Sequence, residues 1–228
     1  MITDTKNRNL LGFDFETSGT DTETCQILQI GAAIVDVKSY NVKDTFATLV
    51  RPEFPEKVEK EALAVNHLKM EDLMKAPSVD VIFHTFAQWT QKFNVNKQKN
   101  TWGAPIGVTF NGASFDIPIL KRYCKRFGYW DKKWNNQTLI NPIFNIDVMQ
   151  HIWLYMKGLL DLPNTKLTTI CEYMGVSKEE IDKCAHDAVW DVKQTLEIGI
   201  RLLKMADYLT VANDEGKRKL EFRGCLLK

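Results

Sequence analysis

The run Phe13-Asp14-Phe15-Glu16-Thr17-Ser18-Gly19 constrains this chain more than any other stretch. A β-strand turns successive side chains to opposite faces, so Asp14 and Glu16 share one face while Phe13 and Phe15 share the other. Two carboxylates side by side repel, and at least one pKa rises unless a cation stands between them. A hard divalent ion is the ordinary partner for such a pair. Two readings stay open on this stretch alone: a metal site at the end of a buried strand, or acids that cap the turn opening at Thr17-Ser18-Gly19.

The surrounding pattern is that of a mixed α/β fold. Leu10 to Glu16 reads as the first strand, and Ile27 to Asp36 as a second, almost continuously apolar and therefore interior to a sheet. Thr45 to Val50 makes a third, stopped by Arg51-Pro52, and the short loops predict an antiparallel meander. Pro77-Ser78 offers an N-cap to a helix whose Val79, Ile82, Phe83, Phe86, Trp89 and Phe93 recur as a core-facing stripe. Lys92 to Asn100 reads as a solvated loop. Pro105 to Phe110 is a short β run that crosses into a helix from about Phe115 to Phe127, the signature of the α/β class. Ile143 to Ile146 reads as a further strand, with Asp147 opening a helix from Val148 to Tyr155. An amphipathic helix through Leu167, Ile170, Cys171 and Met174 stops at Gly175, Ser177 to Glu180 has the capping-box pattern, and a last helix runs from about Ala188 to Met205.

No repeat or flexible linker interrupts the 228 residues, so one unit is expected: a core over about 8–205 and a short tail, 206–228, with basic residues Lys217, Arg218, Lys219 and Arg223. The net charge of +1 predicts no bulk attraction to polyanions, so any nucleic-acid contact has to come from a local patch. Five scattered cysteines without a CxxC pair argue against a disulfide framework or a zinc finger, and fit a reduced, cytoplasmic protein. The polar Met1 to Asn9 segment lacks the apolar run of a signal peptide, and no membrane span is expected.

Three further residues bear on the opening pair. Asp116 follows Asn111-Gly112-Ala113-Ser114-Phe115 at the start of a helix that leaves a strand end, where α/β sheets bind ligands. His186 and Asp191 lie in His186-Asp187-Ala188-Val189-Trp190-Asp191. These segments resemble, in order and spacing, the three motifs of the DEDDh 3′-to-5′ exonucleases, which include the proofreading subunit of bacterial replicative polymerases, ribonuclease T and oligoribonuclease. The resemblance covers about residues 8–205. It implies a ribonuclease-H-like fold and 3′-to-5′ hydrolysis of nucleic acid, with the Thr17 backbone and Asn111 beside the terminal nucleotide.

The four acids suit that chemistry. Phosphodiester hydrolysis needs a hydroxide nucleophile, neutralised phosphoryl charge and a stabilised leaving oxygen, which two metal ions supply. Asp14, Glu16, Asp116 and Asp191 are the candidate ligands, Glu16 belongs also to the catalytic set, and carboxylates with open water positions favour Mg²⁺ or Mn²⁺. His186 is the candidate general base. Five residues along an α-helix turn a side chain by about 140°, so His186 and Asp191 share a site only if His186 precedes the helix. The tyrosine branch of the superfamily carries its Tyr four residues before the last Asp, a position held here by Asp187.

Blander readings accompany each residue. Asp116 and Asp191 could cap helices. His67, His84 and His151 read as structural, and Asp147 as the cap of the helix that carries His151. Lys121, Arg122, Lys125, Arg126, Lys132 and Lys133 interleave with aromatics, of which Trp130 and Trp134 are candidate base-stacking residues, whereas Leu120, Tyr123, Cys124 and Phe127 form a core face. The expected function is a metal-dependent exonuclease that releases 5′-mononucleotides from a single-stranded or frayed 3′ end. DNA proofreading or end-trimming, with a polymerase as possible partner, is preferred to an exoribonuclease role. A non-catalytic, polymerase-associated scaffold is the reading from a different class, and intact buried acids argue against it.

Overall fold

The structure, a computed structural model, describes residues 8–95, 101–159, 162–208, 210–212 and 218–220. In chain order it comprises β1 (Asn9–Thr17), β2 (Ile27–Asp36), β3 (Val42–Leu49), a 3-10 turn (Pro55–Lys57), α1 (Lys60–Val65), α2 (Met70–Lys75), α3 (Val79–Gln91), β4 (Ile106–Thr109), α4 (Asp116–Phe127), β5 (Trp130–Asp131), β6 (Asn136–Gln137), β7 (Asn145–Asp147), α5 (Val148–Leu159), α6 (Leu167–Tyr173), α7 (Lys178–Cys184), α8 (Ala188–Tyr208), β8 (Thr210–Ala212) and β9 (Arg218–Leu220). The main sheet has the order β3-β2-β1-β4-β7. Strands β1, β2 and β3 form the expected antiparallel meander, and β4 and β7 join β1 in parallel. The apolar β2 is interior, as its composition predicts, and β1 is the middle strand.

Alternation along β1 divides the core. Leu11, Phe13 and Phe15 pack with Val79, Ile82, Phe83 and Phe86 of α3 and Ile119, Leu120 and Tyr123 of α4. On the opposite face, Leu10 packs with Val108, Val148 and Ile152, and with Val192 and Leu196 of α8. Asp14 and Glu16 belong to this second face by the same period of two.

Two glycines let α8 lie close to the sheet. A Cβ on Gly12 meets only the Leu196 side chain, at 2.6 Å, whereas one on Gly31 meets the backbone carbon and oxygen of Ala188 at 2.4 Å. Leucine can rotate away; the first turn of α8 cannot without moving. Since Gly31 pairs with Asp14 across the β1–β2 ladder, this contact sets how near α8 comes to the acids. Gly31→Ala is therefore expected to destabilise by about 1–3 kcal/mol, a typical overpacking cost. Nuclease activity should fall with it, while Gly12→Ala is milder; denaturant unfolding and initial rates check both.

Most expected helix boundaries hold to within a few residues. Ser177 Oγ accepts from the Glu180 backbone N–H at 3.2 Å, and Gly175 adopts the left-handed conformation after α6. Ser78 departs from expectation: it precedes α3 in extended conformation but makes no side-chain cap bond. The Lys92 to Asn100 loop lies only partly within the described residues; of the 206–228 tail the backbone of 206–208, which ends α8, and of β8 and β9 is described, and of its basic residues only Arg218 and Lys219 fall there. No helix among the described residues is long and apolar enough to cross a membrane.

Candidate active site

The carboxyl ends of β1, β4 and β7 point the same way, and the segments leaving them converge on a cavity of about 560 Å³. Asp14 and Glu16 from β1, Asn111 and Asp116 after β4, and His186 and Asp191 around the start of α8 all line it. This is the crevice at which open α/β sheets take ligands.

Neither Asp14 nor Glu16 caps the Thr17-Ser18-Gly19 turn. That turn is held by Thr17 Oγ1 donating to the Gly19 carbonyl, and by Ser18 Oγ accepting from the Gln26 backbone N–H. Asp14, Glu16 and Asp191 instead each offer a carboxylate oxygen, and these atoms lie within 4.8 Å of one another. Asp116 stands apart from this trio. It is buried at the first turn of α4, where its Oδ1 accepts from the Phe15 backbone N–H at 3.0 Å and so ties α4 to β1. It also lines the cavity.

The electrostatics match a cation site. Burial, then repulsion from Asp116 and Asp187, holds the Asp14 carboxyl well above the usual range. Burial, then Asp14 and Asp191, pushes Glu16 up to about 10. Asp191 rises to about 8 through burial and Asp14, and Asp116 to about 7 through burial, offset by its backbone hydrogen bonds. Among the described residues none of the four acids has a lysine or arginine ion-pair partner. A divalent cation would supply the charge these groups lack, and an all-oxygen donor set is the kind that suits a hard ion.

A pH dependence follows. Each raised carboxyl favours its protonated form in the folded state, so its contribution is fully present below about pH 4 and is lost as pH rises through about 7 to 10. In EDTA the melting temperature should fall across that window. At about 100 times its Kd, a metal adds about 2.7 kcal/mol. That is about 5–10 °C for a chain of this size. The gain should be greater at pH 8 than at pH 5, where protons compete for the acids; thermal melts with and without Mg²⁺ check both signs.

His186 lies in the turn between α7 and α8, off the helix, as the five-residue spacing to Asp191 requires. It adopts φ 65°, a left-handed conformation unusual for a non-glycine residue. The position after it explains how that turn is held. Asp187 Oδ1 accepts from the backbone N–H groups of Val189 and Trp190 at 3.1 and 3.0 Å, an N-cap for α8, while its Oδ2 accepts from Gln29 Nε2 at 3.3 Å. Gln29 pairs with Glu16 in the β1–β2 ladder, so one bond fastens the start of α8 to the strand beside the acids. Burial, then the charges of His67 and Lys166, lowers the His186 pKa below 6.5.

Asp147 is a bracing residue of the site whose contacts sequence reasoning misses. Instead of capping α5 it is buried and accepts from the backbone N–H groups of Asn111 and Ala113 at 3.0 and 3.1 Å, bracing the turn that delivers Asn111 and Asp116. Asn111 itself has φ 57°. Met149, Thr165, Lys166 and Leu167 also line the cavity without any motif to mark them. Thr17 is buried one step aside, its carbonyl accepting from Asn66 Nδ2 at 3.2 Å, in a hollow that shares Glu16, Phe15 and Phe115 with the acidic cavity. Trp130 and Trp134 do not line the cavity. Trp130 packs against the core under Lys125, and the half-exposed Trp134 meets Trp102, which precedes β4 rather than following it. Leu120, Tyr123 and Cys124 are core, and Phe127 packs on it.

An RNase-H-like mixed sheet with clustered acids at the carboxyl ends of its strands defines a nuclease-type hydrolase. Residues 11–198 match the family described as Exonuclease (RNase_T), and the chain belongs to that family, within the DEDDh exonuclease superfamily. The DNA polymerase III PolC-type of Caldanaerobacter subterraneus subsp. tengcongensis is 27% identical over 193 residues, which cover 84% of this chain and 11% of that protein. Its counterpart in Clostridium perfringens is 28% identical over 188 residues, covering 82% and 10%. The chain thus spans about a tenth of the length of these relatives. The crystal structure of E. coli Exonuclease I in complex with a dT13 oligonucleotide superposes with a TM-score of 0.67 at 19% identity, over 92% of this chain and 45% of that one, a likeness of fold.

Proposed function

We propose that the chain is a metal-dependent 3′-to-5′ exonuclease that removes 5′-mononucleotides from single-stranded or frayed DNA. The observation that carries this reading is the Asp14, Glu16 and Asp191 trio with His186 in the same cavity. The preference for DNA draws on the relatives: two are DNA polymerases by name, and the Exonuclease I crystal holds a dT13 oligonucleotide. A polymerase partner is proposed on the same ground.

Asp14, Glu16 and Asp191, joined by Asp116 in the same cavity, would hold two Mg²⁺ or Mn²⁺ ions. When bound, such ions neutralise phosphoryl charge and make water a competent nucleophile at neutral pH. The chain's own residues do the rest. His186, neutral because its pKa is depressed, accepts the proton of the attacking water on a ring nitrogen. Asp187 and the left-handed turn hold His186 off α8, on the lining of the cavity that the acids share. Asn111, fixed by Asp147, and the Thr17 backbone bind the terminal nucleotide, so that its phosphate meets the acids in one orientation.

The test compares degradation of 5′-labelled and 3′-labelled single-stranded DNA and matched RNA in Mg²⁺, Mn²⁺ or EDTA. The expected result is a descending ladder from the 5′-labelled DNA, immediate mononucleotide from the 3′-labelled DNA, slower loss of RNA and none in EDTA. Undiminished cutting in EDTA, or release starting at the 5′ end, contradicts the reading.

A further inference from the structure

Two smaller hollows adjoin the acidic cavity, and they differ in charge. On the Thr17 side, a hollow of about 240 Å³ is lined by Glu59 and Glu61 as well as Thr17, Val65 and Asn66. On the α5 side, a hollow of about 260 Å³ is lined by Met149, Gln150, Trp153 and Thr165, with no acid among them. Met149 and Thr165 line the acidic cavity too, so this second hollow is continuous with it. The next residue, Lys166, lines the acidic cavity. Trp153 is 56% exposed, far more than an aromatic of this size in a core position.

We propose that the α5 hollow is a subsite for a nucleobase upstream of the scissile bond, with the Trp153 indole as its stacking platform; the proposal rests on the exonuclease reading above. Charge selects the direction in which the strand leaves. A polyanion running past Glu59 and Glu61 meets like charges, so that side suits the chain end. A strand running past Thr165 leaves through a hollow with no acid among its described lining residues, next to the Lys166 that lines the acidic cavity. Helix geometry sets the step. Met149 and Trp153 are four residues apart on one face of α5, about 6 Å along its axis at about 1.5 Å per residue. Stacked bases of a duplex strand advance only about 3.4 Å. A base that reaches Trp153 must therefore leave its neighbour's stack, which a single strand does readily and a paired one does not. Stacking on an aromatic ring is indifferent to base identity, as an exonuclease that meets every sequence requires. Trp153 is thus a binding residue that extends the site by at least one nucleotide and favours single strands.

The experiment compares kcat/KM for a dT octamer with that for the p-nitrophenyl ester of thymidine 5′-monophosphate, which carries no nucleobase upstream of the scissile bond. Trp153→Ala should lower the octamer-to-ester ratio about 5- to 150-fold, the range that removal of one base–aromatic stack produces. The loss should sit mainly in KM, and Trp153→Phe, which keeps a π face, should restore the ratio to within a few-fold of the parent. An unchanged ratio overturns the subsite. So does an equal loss on octamer and ester, which marks a structural role. If the parent hydrolyses neither substrate, the exonuclease reading fails, and the subsite with it.

Discussion

Asp14→Asn is expected to lower nuclease activity by at least about 10³-fold, because members of one catalytic unit fail together and misplacement of the reacting groups by about 1 Å already costs about 10²-fold. The same substitution should leave the metal-free protein as stable as the parent or more so. Asparagine keeps the shape of the side chain and removes one of the repelling charges among Asp14, Glu16 and Asp191. Opposite signs for activity and metal-free stability separate a functional carboxylate from a structural one, since loss of a structural hydrogen bond lowers both. The rise in melting temperature on adding Mg²⁺ should shrink in parallel. Rates on single-stranded DNA and melts in EDTA and Mg²⁺ measure all three, and an Asp14→Asn enzyme near parental activity would remove the acidic cluster from the mechanism.

His186→Ala is expected to slow turnover by about 10²- to 10⁴-fold, the range for loss of a positioned general base. Unlike Asp14→Asn, it should keep the Mg²⁺-induced rise in melting temperature, because the acids proposed to hold the ion are intact. The pH profile supplies a second readout. Burial, with the charges of His67 and Lys166, depresses the His186 pKa, and a base acts in its neutral form. At saturating metal the parent's activity should therefore hold to a pH below 6.5 before it falls, and the residual activity of the alanine variant should lack that limb. A variant with the parental rate at neutral pH would assign the proton to another acceptor.

The legible part of this protein was local. Alternation in Phe13 to Glu16 put the acids on one face of a strand whose other face is aromatic, and the almost continuously apolar run of Ile27 to Asp36 marked an interior strand. The helical stripe from Val79 to Trp89 and the Ser177 cap could be read for the same reason, since each depends on residues no more than a few positions apart. The spacing of His186 and Asp191 even required that the histidine precede its helix, as the left-handed turn at His186 shows.

Other features depend on contacts between distant segments. Asp147 reads as a helix cap because it precedes one; in the fold its oxygens meet Asn111 and Ala113, more than thirty positions earlier. Asp116 likewise gives one oxygen to Phe15, 101 residues away, which separates it from the tighter trio. Trp130 and Trp134 had the composition of stacking residues, but the β5–β6 hairpin that carries Trp130 in its first strand and Trp134 in its turn lies outside the cavity lining, while the unremarked Trp153 stands beside it.

The sequence by itself determined the types and order of the chemical groups and the faces on which they lie, because strand and helix periods are local properties of the backbone. Which of those groups meet was decided only by tertiary structure. The parallel pairing of β1, β4 and β7 gathers their carboxyl ends, and the close approach of α8 over Gly31 brings Asp191 to Asp14 and Glu16. That approach depends on an absent Cβ against a backbone 157 residues away, a packing relation that no local pattern encodes.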